Sequence, residues 1–223
     1  MKLVREDLTE LVFILDRSGS MAGLEDDTIG GFNSMIAKQK DTKGEVVVTT
    51  VLFNDEYEVI HDRINIKDIS PMTKKEYDVG GCTALLDAIG KTILKISKIQ
   101  ENASIEQRAG KVLFIIITDG MENSSTEFTY SKIKELIKTK KQEGWEFIFL
   151  GANIDAAETA DRMGIGAERS SGYHADSKGI RLNYRVLNEL ITNYRENATI
   201  DSNWNSSINE DFVKRNKLSR FKN

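Results

Sequence analysis

The chain has 223 residues, of which 39% are apolar and 30% charged, and its formal net charge is −4. That length suits one well-buried domain, and the mild acidity gives no reason to expect nucleic acid. The longest apolar runs, Leu11–Leu15 and Leu113–Ile117 (extended by Val112), fall far short of the ~20 residues of a membrane span.

The start, Met1 to Asp7, holds two acids and no long apolar core, so no secretory signal is expected. Cys82 is the one cysteine, which rules out an internal disulfide and fits a reducing, cytoplasmic setting. Leu11-Val12-Phe13-Ile14-Leu15 is an apolar run of strand length, and it leads into Asp16-Arg17-Ser18-Gly19-Ser20. Ile29, Phe32, Asn33 and Ile36 then mark one helical face. Val46–Phe53 and Tyr57–His61, separated by Asn54-Asp55-Glu56, predict a hairpin. Pro71, the only proline, marks a surface loop. After Gly80-Gly81, the stripe Leu85, Leu86, Ile89, Thr92, Ile93 and Ile96 predicts a helix. Val112–Thr118 reads as a strand that ends on Asp119-Gly120. A helix marked by Ile133, Leu136 and Ile137, a strand at Trp145–Leu150 and a helix over Ile154–Met163 follow. Ile180, Tyr184, Leu187, Ile191 and Tyr194 recur at four, three, four, three. That is an amphipathic helix which covers the core or meets a partner.

Strands buried on both faces, alternating with helices, predict a doubly wound α/β fold. Its central sheet is mostly parallel, with helices on both faces. The hairpin adds one antiparallel edge strand. The domain is placed at 1–199, followed by a polar, basic tail at 200–223. From Asn197 onward five bases stand against three acids. The tail is expected to be loosely ordered apart from an anchor at Trp204.

In an open α/β sheet, ligands collect outside the carboxyl ends of the strands. Asp16, Ser18 and Ser20 arrive there after the first strand, and Asp119 after the Val112–Thr118 strand. Thr83 opens the Leu85–Ile96 helix. Oxygen donors of this kind suit Mg²⁺, Mn²⁺ or Ca²⁺ rather than zinc or copper. Two carboxylates neutralise a divalent ion, while Ser18, Ser20 and Thr83 add donors without charge. An ion held in this way stays electrophilic toward an outside carboxylate. Helix N-termini after Ser20 and Thr83 also favour an incoming anion.

These residues resemble the metal-ion-dependent adhesion site of the von Willebrand factor type A family. That pattern is Asp-x-Ser-x-Ser, then a Thr before a helix, then an Asp after a central strand. Here it reads Asp16-Arg17-Ser18-Gly19-Ser20, Gly80-Gly81-Cys82-Thr83 and Thr118-Asp119-Gly120, within a resemblance covering about residues 8 to 197. It implies a Rossmann-like domain that binds a divalent metal at Asp16, Ser18, Ser20, Thr83 and Asp119. Through the metal, such a domain binds an acidic residue of a partner protein. Gly19-Ser20-Met21 and Gly80-Gly81-Cys82-Thr83 look more like intracellular bacterial members than integrin domains. Such members often work beside AAA-type ATPases or in tellurite-resistance clusters, so a stress-response or ATPase-associated complex is the expected setting.

Plainer readings stand beside these. Ser18 and Ser20 can cap the next helix, Thr83 can be an N-cap and Asp119 a turn residue. Cys82 is expected as a buried small thiol. Arg17, Met21, Glu122 and Asn123 are expected near the rim as solvated loop positions. The Gly-x-Gly at Gly164–Gly166 follows a helix rather than a strand, the wrong context for a dinucleotide loop. His61 and His174 lie at no useful spacing from Ser18 or Ser20, and no nucleophile elbow or phosphate loop is present, so no enzyme is expected. The alternative is a Mg²⁺-dependent phosphohydrolase using Asp16. Enzymes of that kind need a second carboxylate two residues on, and position 18 is serine.

Overall fold

The computed structural model describes residues 4–220; Phe221, Lys222 and Asn223, the end of the expected tail, lie outside the described residues. The strands are β1 (Arg5–Asp16), β2 (Glu45–Phe53), β3 (Tyr57–Asn65), β4 (Ala109–Thr118), β5 (Glu146–Ala152) and β6 (Ser170–Tyr173). The helices are α1 (Glu25–Lys40), α2 (Leu85–Asn102), α3 (Tyr130–Gln142), α4 (Ala156–Arg162), α5 (Ser177–Asn197) and α6 (Ser206–Arg220). The sheet order is β3-β2-β1-β4-β5-β6. Among the described residues only β3 runs antiparallel to its neighbour, as the hairpin predicts.

Successive side chains of a strand point to opposite faces of the sheet. Along β1, Leu11, Phe13 and Leu15 therefore enter one core, and Val12 and Ile14 the other. The first core is closed by Phe32 and Met35 of α1 and by Leu187 and Ile191 of α5. The second is closed by Ile89 and Ile93 of α2, Ile133 and Ile137 of α3, and Ala160 of α4. Both faces are covered, which is why these strands read as unbroken apolar runs. The α5 stripe faces the core.

The chain winds outward in both directions from β1, with β2 on one side and β4 on the other. Leu15 pairs with Ile117, so Asp16 stands level with Thr118 and one residue short of Asp119. The two carboxylates meet at the crevice where the strand order reverses.

Two elements differ from the sequence reading. β6 is a four-residue edge strand, Ser-Ser-Gly-Tyr, with no apolar run to announce it. The tail after Thr199 is not loose: it folds into α6, because its polar residues are partners for β6. Asn205 Nδ2 donates to the Ser170 carbonyl at 2.8 Å, and Ser171 Oγ donates to Asn209 Oδ1 at 2.9 Å. Ile208 is buried in the first core, and the expected anchor Trp204 donates its indole N–H to the Glu168 carbonyl at 2.9 Å.

Two buried ions stitch the molecule at the end of the sheet away from the crevice. Arg195 of α5 reaches the C-terminus of α1, whose last carbonyls lack helical donors. Its guanidinium donates to the carbonyls of Gln39 (2.7 Å), Thr42 (2.8 Å), Lys43 (3.0 Å) and Gly44 (3.2 Å). A cation at this helix end also meets the favourable sign of the dipole. Arg195→Met is expected to lower stability by about 2–3 kcal/mol. The change should appear as an earlier urea midpoint with an unaltered slope.

Glu10 of β1 is fully buried between Arg63, at 2.9 Å, and Gln100. Burial pushes its carboxyl above the ordinary value, and the Arg63 charge and Gln100 only partly offset that. The folded chain therefore holds this proton to a higher pH than the unfolded chain does. Stability from this group is present below the unfolded pKa and is lost as pH rises through the folded one. Glu10→Gln is expected to flatten that fall in urea titrations run from acidic to neutral pH.

Candidate metal centre

Asp16 ends β1 with both carboxylate oxygens engaged. Oδ1 accepts from the Ser18 N–H at 2.7 Å, and Oδ2 accepts from Thr118 Oγ1 at 2.5 Å. Tyr77 Oη donates to the Asp16 carbonyl at 2.5 Å, and Tyr173 Oη to the Thr118 carbonyl at 3.3 Å. These bonds fix the ends of both strands from below.

The other expected residues converge above them. Ser18 Oγ lies 3.2 Å from Ser20 Oγ, and Ser20 Oγ donates to Asp119 Oδ1 at 2.5 Å. Thr83 closes the group through the space that Gly120 leaves open. A Cβ on Gly120 would stand 3.0 Å from Thr83 Oγ1, 3.2 Å from Ser20 Oγ and 3.8 Å from Ser18 Oγ. The structure thus brings all five residues together. None of the three hydroxyls is spent on capping. Ser18 opens a 3-10 turn without a side-chain cap, and the N-cap positions of α1 and α2 are Leu24 and Ala84.

Thr83 is held by a loop laced to its surroundings. Gly80 N–H donates to the Arg17 carbonyl at 2.9 Å, and Gly19 N–H to the Gly81 carbonyl at 3.1 Å. Asn54 Nδ2 donates to the Gly80 carbonyl at 2.8 Å. Gly81 has φ +74°, and a Cβ there would stand 1.8 Å from Asp55 Oδ1, so the turn needs glycine. Asn123 grips Thr83 from the far side. Its Oδ1 accepts from Thr83 N–H at 2.9 Å, and its own N–H donates to the Thr83 carbonyl at 3.1 Å.

Several rim expectations need correction. Met21 is a core residue, and Arg17 is buried and paired with Glu58 at 2.7 Å. The turn that delivers Ser18 and Ser20 folds these neighbours inward. Glu122 is no free solvated position: it accepts from the N–H groups of Leu86 (2.9 Å), Ser124 (3.0 Å) and Ser125 (2.8 Å). Asn123 keeps its exposure but is tied to Thr83. Cys82 is exposed rather than buried, because its loop turns outward at Gly81. Asp87 of α2, which no motif marks, accepts from the N–H groups of Thr126, Glu127 and Phe128. Glu122 and Asp87 bind the loop after Asp119 to the first turns of α2. Asn123 lies forty positions from Thr83, and no local spacing announces that bond.

Asp16 and Asp119 are each 1% exposed. Burial pushes both carboxyls above the ordinary value. For Asp16, the bonds from Ser18 and Thr118 only partly offset this. For Asp119, the Ser20 bond opposes the rise and the nearby Asp16 charge adds to it. Two buried like charges are relieved by a cation between them. Asp119 Oδ2 is buried and has no hydrogen-bond partner. That free oxygen, the gap at Gly120 and three hydroxyls not used for helix capping fit a hard divalent ion. Neither histidine is part of this group: His61 stacks on Phe32, and His174 packs against Phe212.

No family model matches the sequence, and no curated protein matches it. Solved structures do match the fold. The ArnB paralog VWA2 from Sulfolobus acidocaldarius aligns with a TM-score of 0.55 at 21% identity, over 84% of this chain and 46% of its own. The vWF domain of the type V pili tip protein Mfa5 from Porphyromonas gingivalis gives 0.56 at 10% identity, over 81% of this chain and 95% of its own. Proximal thread matrix protein 1 from the mussel byssus, solved with a zinc-occupied MIDAS motif, gives 0.56 at 12% identity, over 86% of this chain and 47% of its own. The chain has the von Willebrand factor type A fold, and it spans less than half the length of the Sulfolobus and mussel chains. Among the described residues no helix is long and apolar enough to cross a membrane.

Asn123→Ala leaves the buried Thr83 N–H without an acceptor, at a cost of about 1–3 kcal/mol. Amide exchange measured by NMR should be faster at Thr83 while the β1 and β4 amides keep their protection. Unchanged exchange at Thr83 would show that Asn123 does not hold it.

Proposed function

We propose that this protein is a metal-ion-dependent protein-binding module, which holds an acidic residue of a partner through a divalent cation. Asp16, Ser18, Ser20, Thr83 and Asp119 are the residues that would hold Mg²⁺, Mn²⁺ or Ca²⁺. The observation that carries this reading is Asp119 Oδ2, a buried carboxylate oxygen with no protein donor, set among three hydroxyls. The zinc-occupied motif of the mussel protein supports a divalent ion in a site on this fold. When bound, the ion supplies an electrophilic coordination position for an outside carboxylate. The protein's own part is to present two negative charges and neutral hydroxyls, so the ion's charge is matched and not exceeded.

A binding role fits these residues better than catalysis. Asp16 is 1% exposed with both oxygens bonded, a poor posture for a nucleophile. No histidine stands by to move a proton. A cytoplasmic stress-response or ATPase-associated setting in a bacterium remains part of the proposal, supported by the motif's resemblance, and gene neighbourhood is the observation that decides it.

Isothermal calorimetry is expected to show uptake of Mg²⁺ or Mn²⁺ at one site. Asp119→Ala should weaken that uptake more than about 100-fold, beyond the roughly 10–100-fold loss typical of a supporting residue. Its circular dichroism should match the wild type. A wild-type protein that takes up neither ion sinks the proposal.

A further inference from the structure

Directly beneath the metal centre, between β1 and the α1–α5 pair, the fold encloses a cavity of about 10 Å³. Its wall includes Asp16, Thr28 of α1, and Asn183 and Tyr184 of α5. Asn183 is 1% exposed, and neither its Oδ1 nor its Nδ2 has a hydrogen-bond partner. Thr28 Oγ1 and Tyr184 Oη are likewise buried and without partners. The three residues that carry these four atoms, from two helices, therefore border one small space. Buried polar groups left without any partner are rare, because each has given up its bonds to water.

The neighbouring tyrosine hydroxyls donate elsewhere, which leaves Tyr77 Oη open to Thr28 only as an acceptor. Tyr77 gives its proton to the Asp16 carbonyl, and Tyr173 to the Thr118 carbonyl. Both Asp16 carboxylate oxygens already accept bonds. Nor is Tyr184 free to swing away. Its ring occupies the place of a missing side chain on Gly31, where a Cβ would stand 2.2 Å from Tyr184 Cδ2. Gly31 lets the two helices close on that ring.

We propose that this cavity is a binding site for one ordered water molecule, held by Asn183, Thr28 and Tyr184. The cavity is at the lower limit of volume for one water, and its wall is largely apolar (Leu15, Met21, Ile117 and Ile180), so the Asn183 amide and the two hydroxyls are the partners that would hold a water there. The Asn183 amide supplies a donor and an acceptor, and each hydroxyl can play either part. The donors are neutral, and the one charge on the wall is already satisfied, so water suits the site better than a second cation. This water joins α1, α5 and the end of β1. Through it, α5 helps to form the floor under Asp16 without supplying a metal ligand. The water site does not require a metal above it.

A high-resolution crystal structure of the wild type is expected to show one density peak at hydrogen-bonding distance from Asn183, Thr28 and Tyr184. In solution, ¹⁷O magnetic relaxation dispersion should show one long-residence water fewer in Asn183→Leu, and again in Thr28→Val. The second variant removes a hydroxyl at almost constant shape, so it keeps the solution test open if the first fails to fold. An empty cavity, with the Asn183 amide bonded to another protein group, would overturn the proposal. So would unchanged relaxation in folded Thr28→Val.

Discussion

The carboxylate of Asp16 is the hinge of this structure. One oxygen takes the Ser18 N–H and so shapes the turn that carries both serines. The other takes the Thr118 hydroxyl and so ties the end of β1 to the end of β4, immediately before Asp119. A single buried charge thereby sets the spacing of four of the five candidate ligands. Burial pushes its pKa up, and the fold offsets part of that with the fixed donors Ser18 and Thr118. The residual strain is electrostatic, and it points toward Asp119, whose second oxygen has no donor of its own.

Around that hinge the molecule uses the two ends of its sheet differently. At the crevice end, polar groups are left open toward the space beside Gly120. At the opposite end they are largely paired: Glu10 is held by Arg63 and Gln100, and the terminal nitrogens of Arg195 are wrapped in carbonyls at and just after the end of α1. Unsatisfied buried polar atoms are expensive, so their concentration around Asp119 and the Asn183 cavity marks where the fold has been shaped by something other than its own stability.

The central strands were legible because a strand buried on both faces reads as a continuous apolar run, and β1 and β4 are of that kind. The five candidate ligands were legible because each sits at the end of such a strand or just before a strongly periodic helix. β6 was invisible because three small residues and one tyrosine at a sheet edge are too few to show a period. α6 was hidden for a related reason: Asn205 and Asn209 look like solvent-facing residues until Ser170 and Ser171 are known to lie beside them. Glu122 and Asn123 were placed at the rim by the sequence, but their part as fasteners was not legible there, nor was that of Asp87, since each binds backbone groups more than thirty positions away. Spacing shows which side chains can act together, but not which backbone groups they will meet.

Asp119 and the three hydroxyls are expected to take up a cation as one set. Anomalous diffraction from crystals grown with Mn²⁺ tests this most directly. The predicted result is one strong anomalous peak beside Gly120, at coordination distance from Asp119 and the hydroxyls of Ser18, Ser20 and Thr83. A map without a peak there, with Asp119 Oδ2 bonded to a protein donor instead, would contradict it.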